Sequence, residues 1–434
     1  MMQFTESSSP YHALDQLTPL ATYATQFHRV KPLPSFPTSP KSRYRTFGDA
    51  NSMEQLLIHC ANAIENNDTT LSQHILWVLN NIAPPDGDSN QRLAWAFLRA
   101  LIIRTTKSGT CKQLTTMITT QEYSILALHT HRFSILELAN YIDLTPWHRF
   151  GYTAANAAIL DAIQGYQIIH IVDISSTHCM QIPTLIDSIA TRLQHQPKLI
   201  KLTVAALTDE TPPMLESISS YHSIATKLTL FAKKCHNIVL EFTVIPTRLR
   251  HIVEHLACIE SNPNEALIVN CQMTLHMITH QTMESPSRKL MDSIRAIDPA
   301  MVTVVDEDVD FSSRDLVSRV RSAWEFFWVR FDAAETFMGE RKRERERYEA
   351  EAIWRIENLV AEDGVERQER RATWGERMRA AGFRGVAAGE EATKKVKAMV
   401  EEYGGGWGTK TEEGDVVLTW KGHNVVFASA WAPN

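Results

Sequence analysis

The stretch between Tyr166 and Asp306 decides what this chain can fold into. Short apolar runs alternate there with amphipathic segments. The first run is Ile168-Ile169-His170-Ile171-Val172-Asp173. A run this short and this rich in β-branched residues is what a strand buried on both faces needs. Further strands are predicted over 199–207, 238–245, 265–273 and 301–306. Helices are predicted between them over 181–194, 224–235, 249–257 and 287–297. Strands alternating with helices wind into a parallel sheet covered on both faces. Two more runs, 415–421 and 424–431, are joined tightly through Gly422-His423 and form an antiparallel hairpin. The predicted class is α/β, with a doubly wound, methyltransferase-like (Rossmann-like) core and a C-terminal β-hairpin.

Upstream the period changes from strand to helix. Ser52 and Gln55 have the spacing of a capping box. Leu56, Leu57, Cys60, Ala61 and Ile64 follow at helical period. Asn66-Asn67-Asp68 breaks that helix. Leu71, Ile75, Leu76, Val78, Leu79 and Ile82 make a second one, and Pro84-Pro85-Asp86-Gly87-Asp88 is a turn. Residues 51–160 are therefore expected to form a helical cap containing a leucine-rich region. Residues 1–50 are rich in Ser, Thr and Pro, with Pro32, Pro34, Pro37 and Pro40 in quick succession. They are expected to be a disordered tail. The basic stretch Lys41–Arg45 within it reads as a solvated linker.

The core is expected over 161–434 and includes a charged helical segment, 313–402. Its run Glu340-Arg341-Lys342-Arg343-Glu344-Arg345-Glu346-Arg347 looks like a nucleic-acid stripe. The acids fall three or four residues from the bases, as in Glu340–Arg343, Glu344–Arg347 and Arg345–Glu349, so the expectation is a solvated face with helix-surface ion pairs. The whole chain carries a net charge of -6. A dedicated nucleic-acid module is basic, so any DNA contact must come from a local patch or a partner. The six cysteines lack C-x-x-C spacing, no secretory signal is apparent, and no apolar run has membrane length. The reading is cytosol or nucleus.

Enzyme chemistry finds little support. A dinucleotide or S-adenosylmethionine site needs glycines after the first strand, where the backbone approaches the ligand. Here that loop reads Ile174-Ser175-Ser176-Thr177-His178-Cys179-Met180-Gln181-Ile182-Pro183 and has no glycine. Asp173 is expected to cap the next helix. His178-Cys179 is a poor nucleophile pair, because neighbours on a loop seldom aim at each other. His251, Glu254 and His255 show inverted-zincin spacing without a third ligand and read as surface residues. Trp407, Trp420 and Trp431 are expected in the core. No cofactor, metal or catalytic residue is assigned.

Several blocks together resemble the GRAS family of plant transcriptional regulators, and within it a Scarecrow-like member. Met53-Glu54-Gln55-Leu56-Leu57-Ile58-His59-Cys60-Ala61 and Gly87–Leu93 resemble the first leucine-rich region. Pro146–Asn156 and the signature His170, Ile171, Val172, Asp173 resemble the next block. Glu265–Cys271 resembles the strand after the second leucine-rich region, and Ser429-Ala430-Trp431 the terminal motif. Trp354-Arg355 stands where many members carry Arg-Glu. The resemblance spans residues 51–434. It implies a nuclear regulator, not an enzyme, associating with itself or other regulators through the leucine-rich segments and reaching DNA directly or through partners. Leu56, Leu57, Ile64, Leu71, Leu76 and Leu79 are the partner-binding candidates. The alternative is a methyltransferase-like small-molecule-binding protein or enzyme.

Overall fold

The computed structural model describes residues 50–107, 132–192, 196–207, 214–217, 219–248, 251–259, 262–277, 286–361 and 368–434. The tail, Lys41–Arg45 and Cys111 lie outside the described residues. Three helices open the described chain: α1 (Ala50–Glu65), α2 (Thr69–Ile82) and α3 (Ser89–Lys107). Then come β1 (Arg132–Phe133), α4 (Ile135–Ile142), α5 (Pro146–Ala162), β2 (Ile168–Ser175), α6 (Ile182–Arg192), β3 (Leu199–Leu207) and β4 (Met214–Leu215). Next are α7 (Ser219–His236), β5 (Val239–Thr247), α8 (Ile252–Leu256), β6 (Glu265–Gln272), α9 (Pro286–Ala296) and β7 (Met301–Glu307). The rest is α10 (Leu316–Met338), α11 (Lys342–Val360), α12 (Arg371–Ala380), β8 (Phe383–Val386), α13 (Glu390–Glu401), β9 (Trp407–Glu412), β10 (Asp415–Trp420) and β11 (His423–Pro433).

Helix starts follow local chemistry. Asp68 accepts the Leu71 amide at 3.0 Å and opens α2. Asp88 and Gln91 cap α3 reciprocally, with bonds of 3.0 and 3.1 Å. Ser52 does not mark the beginning of α1, which starts two residues earlier at Ala50. Ser52 therefore sits within the first turn, and Ala50 belongs to this helix and not to the tail.

The main sheet runs β5-β3-β2-β6-β7-β11-β10-β9, with β8 also paired to β11. The first five strands are parallel to their neighbours, and β11, β10 and β9 are antiparallel. The predicted doubly wound α/β class is the observed one. Period-two side chains divide between two apolar layers. Ile169 and Ile171 of β2 pack with α5, α6 and α7, while Val172 and Ile174 pack with α8, α9 and α12.

The carboxyl-terminal half is richer than expected. The hairpin gains a third strand, β9, and its turn is centred on Lys421-Gly422, both at positive φ (47° and 88°). That conformation matches a two-residue turn to the twist of the strands. β8 interrupts the charged segment. Both missed strands are short and carry Gly and Lys or Arg, so their hydrophobic alternation is weak. The helical grouping also differs from the sequence reading. α10 and α11 pack on α1 and α3, far from them in sequence. α5, placed by sequence with the cap, lies on the sheet against β7, β11 and α13. An amphipathic period says that a face is buried but not against what.

The charged helix is not simply solvated. Glu349, Glu351, Arg355 and Glu357 of α11 are buried. Arg92 of α3 binds Glu349 through two nitrogens at 3.0 and 2.8 Å, and Arg99 meets Glu357 at 2.9 Å. Arg345 and Arg347 reach Glu335 and Glu137 on other helices, while Arg341–Glu344 and Lys342–Glu346 are pairs along the exposed surface of this run. At the end of β7, Glu307 receives Arg355 at 2.8 and 2.6 Å and the Trp147 indole N–H at 3.2 Å. Arg330 lies 3.1 Å from Glu351 and 3.9 Å from Glu307. It also stacks over Trp147 and Tyr348, at 4.8 and 5.3 Å. Two arginines and two glutamates thus form a buried, neutral quartet joining α10 and α11 to the sheet.

Removing one member of such a group strands a buried charge. Arg355→Ala is expected to cost about 3–5 kcal/mol, read as a lower urea midpoint, whereas Lys342→Ala on the exposed surface leaves the midpoint unchanged. His148, buried beside this group, has its pKa pushed down to about 4, chiefly by burial. The folded state therefore prefers the neutral ring. His148 stabilises the fold fully above its ordinary value of 6.5, and that contribution falls away between 6.5 and about 4. Across this window wild type should lose roughly 3 kcal/mol relative to His148→Gln, measured by denaturation at each pH.

Candidate functional site

In a doubly wound sheet, ligands bind beyond the carboxyl ends of the strands where the strand order reverses. Here that point lies between β2 and β6, whose register pairs Asp173 with Asn270 and Ser175 with Gln272. These four side chains share the face covered by α5 and α6. All are buried.

They are bonded to one another. Asn270 donates to Asp173 at 2.6 Å and to Gln181 at 2.9 Å. Gln272 donates to Asn270 at 3.1 Å and also to Gln181. Ser175 donates to Asp173 at 2.9 Å, and Thr303 to Asn270 at 2.7 Å. Gln181, at the start of α6, donates to Asn156 of α5 at 2.7 Å. Asp173 therefore does not cap a helix. It is the acceptor at the bottom of a network that joins β2, β6, β7, α5 and the start of α6. Burial raises its pKa, against the bonds from Asn270 and Ser175.

The loop after β2 closes over this network without glycine. His178 and Cys179 adopt φ of 52° and 64°, a conformation disfavoured for residues with a Cβ. The gain is inward placement of both side chains. His178 Nδ1 lies 2.5 Å from the Tyr221 hydroxyl. The Cys179 thiol is buried and pushed well above the usual cysteine range by burial and by nearby Asp173. A reactive cysteine needs the opposite environment. His178 and Cys179 do not form a nucleophile–base pair: the histidine is engaged with a tyrosine on α7.

The other sequence-singled residues are scattered. His251 and Glu254 form an exposed pair at 3.3 Å. Among the described residues no group of His, Cys, Asp and Glu has metal-binding geometry, and no helix is long and apolar enough to cross a membrane. Trp420 and Trp431 are buried, and Trp407 packs partly buried against the core. The leucine-rich candidates divide by burial. Leu57, Leu76 and Leu79 are at most 1% exposed and form the packing between α1, α2 and α3, while Leu56 and Ile64 are partly buried there. These positions hold the helices together. Leu71 alone is open, at 46%. Trp77, which the sequence reading passed over, is 39% exposed on the same helix. α2 contains no Asp, Glu, Lys or Arg, and that absence was the available signal.

The sequence model of the GRAS domain family matches residues 53–432. The chain is 50% identical over 408 residues to Scarecrow-like protein 32 of Arabidopsis thaliana, covering 91% of this chain and 97% of that one. It is 31% identical over 430 residues to Protein SHORT-ROOT of the same plant, covering 95% of this chain and 79% of that one. The crystal structure of SCL7 in Oryza sativa superposes with a TM-score of 0.70 at 23% identity, covering 87% of this chain and 99% of that one; this likeness shows a common fold. The chain belongs to the GRAS family of plant transcriptional regulators and is Scarecrow-like in sequence.

Proposed function

We propose that this chain is a nuclear regulator of transcription that works by protein–protein association, with itself or with other regulators, and reaches promoters through DNA-bound partners. The observation that carries the reading is the filled crevice. The place where a doubly wound enzyme holds its cofactor is occupied by Asp173, Gln181, Asn270 and Gln272, bonded to one another. A methyltransferase-like ligand would have to break that network and strand buried polar groups, at about 1–3 kcal/mol each. Function is thereby pushed from the crevice to the surface.

The solvent side of α2 is the association surface on this reading. Its large apolar residues, Leu71 and Trp77, sit on a helix with no charge to keep it solvated, and exposed apolar surface of this kind marks contact sites. Partner-mediated DNA contact agrees with the net charge of -6 and with the ion pairing of Arg345 and Arg347 to acids on other helices. Scarecrow-like protein 32 and SHORT-ROOT are related over most of their lengths.

The test is a selection from random-sequence DNA with the purified chain at roughly 150 mM salt, where purely electrostatic binding is weak. It is run beside a reporter promoter to which the chain is tethered by a fused DNA-binding domain. The expected outcome is no enriched motif and a changed promoter output. A defined motif would assign DNA reading to the chain itself, and an unchanged promoter would remove the regulatory role.

A further inference from the structure

The main sheet ends differently at its two edges. At one edge β9 is short and carries Gly408, Lys410 and Glu412, residues of the kind that discourage further pairing. At the other edge β5 is nine residues long and reads Val239-Leu240-Glu241-Phe242-Thr243-Val244-Ile245-Pro246-Thr247. Glu241 is its one charged residue. Val239 is 58% exposed. Glu241 and Thr243 are exposed, and Phe242, Val244 and Ile245 are half-buried. Among the described residues no strand pairs with the outer side of β5. An edge of this kind presents a row of backbone N–H and C=O groups that another extended strand completes.

Alternation fixes which groups point outward. The Leu199 amide donates to the Gln167 carbonyl at 3.3 Å, so the odd-numbered residues of β3 bond toward β2 and the even-numbered ones toward β5. Ile200 is in register with Leu240, and Leu202 with Phe242. In a parallel ladder Ile200 and Leu202 then bond the odd-numbered residues of β5. Leu240, Phe242, Val244 and Pro246 therefore turn their backbone groups away from the sheet. Pro246 agrees with this, because a residue without an N–H is tolerated on the solvent side of an edge strand. The outward amides of β5 are those of Leu240, Phe242 and Val244.

We propose that β5 pairs antiparallel with β5 of a second copy of this chain, about a two-fold axis at Phe242, so that the two sheets become one. In that register Phe242 faces its own image and Leu240 faces Val244. Each such pair exchanges two hydrogen bonds, which uses every outward amide. Pro246 falls opposite Ile238, beyond the last bond. Leu240, Phe242 and Val244 share the face that packs with α7. On the opposite face exposed Val239 meets Ile245, and Glu241 meets Thr243. Other registers fail. An axis at Glu241 sets that carboxylate against its image. An axis at Thr243 or Val244 requires an amide from Pro246. An axis at Leu240 runs off the strand into Asn237, whose φ is 55°. The strand is complementary to itself, and that selects a second copy over an unrelated chain. α2 takes no part, so this contact stands or falls separately from the association proposed there.

Sedimentation velocity of the full-length chain over a dilution series tests it, under reducing conditions because Cys235 and Cys258 are exposed. The chain should show a monomer–dimer equilibrium. Exposed Thr243 faces Glu241 of the second copy, so the charge placed there sets the direction of the effect. Thr243→Glu should weaken dimerisation by about tenfold, and Thr243→Lys should strengthen it by about threefold. General damage to the fold cannot produce opposite shifts at one position. Leu71→Glu, which places charge on α2, should leave the dissociation constant within about twofold. Melting temperatures confirm that each variant is folded. A chain that stays monomeric at every concentration, a dimer lost in Leu71→Glu, or an equilibrium that the two Thr243 variants leave unchanged or move in the same direction would each overturn the proposal.

Discussion

The carboxylate of Glu307 is the point on which the two parts of the fold meet. It ends β7, a strand buried along its whole length, and accepts hydrogen bonds from Arg355 of α11 and Trp147 of α5. A buried carboxylate is costly unless its charge is answered and its lone pairs are filled. Arg355 and Arg330 answer it, and Glu351 answers Arg330 in turn. The α10–α11 pair, fixed at this end, carries Glu335, Glu349 and Glu357 to Arg92 and Arg99, which draws α3 into place. Hydrophobic packing supplies most of the stability of such an assembly, but it is tolerant of position. Paired charges in a buried seam are not, so the quartet fixes how the helices seat on the sheet.

The same logic applied to one buried carboxyl and three amides accounts for the crevice. Asp173, Asn270, Gln181 and Gln272 are each within hydrogen-bond reach of at least one other member. In a related architecture this volume would be left for a ligand, and glycines would let the backbone approach it. Here side chains take the ligand's place, and the loop bends through His178 and Cys179 instead of glycine. On the proposed reading, a fold of the class that small-molecule enzymes use serves as a platform for contacts made elsewhere on its surface.

Much of this was legible from residues alone, for reasons that also explain what was not. The five parallel strands announce themselves because strands buried on both faces must be continuously apolar. The missing glycines were visible for the same local reason. α5 was grouped with the wrong neighbours because periodicity reports a buried face without naming what buries it. The run from Glu340 to Glu349 read as a solvated helix face because acid–base spacing along one helix hides partners more than two hundred residues away, such as Arg92 for Glu349 and Glu137 for Arg347. Gln181, Asn270 and Gln272 gave no signal at all: a single amide at the end of a strand or the start of a helix looks ordinary until the sheet brings three of them together. Leu57, Leu76 and Leu79 looked like contact residues for the converse reason, since a leucine stripe serves an internal partner as well as an external one.

On the proposed reading, regulation is carried by surface contacts and not by the crevice. The direct measurement is the output of a tethered reporter promoter for two classes of variant that both fold, judged by their melting temperatures. Leu71→Glu and Trp77→Glu place charge on the open side of α2. Gln181→Glu places it in the crevice network. Both α2 variants should lose regulation while Gln181→Glu retains it. Retention by the α2 variants together with loss in Gln181→Glu would contradict it and return the working site to the crevice.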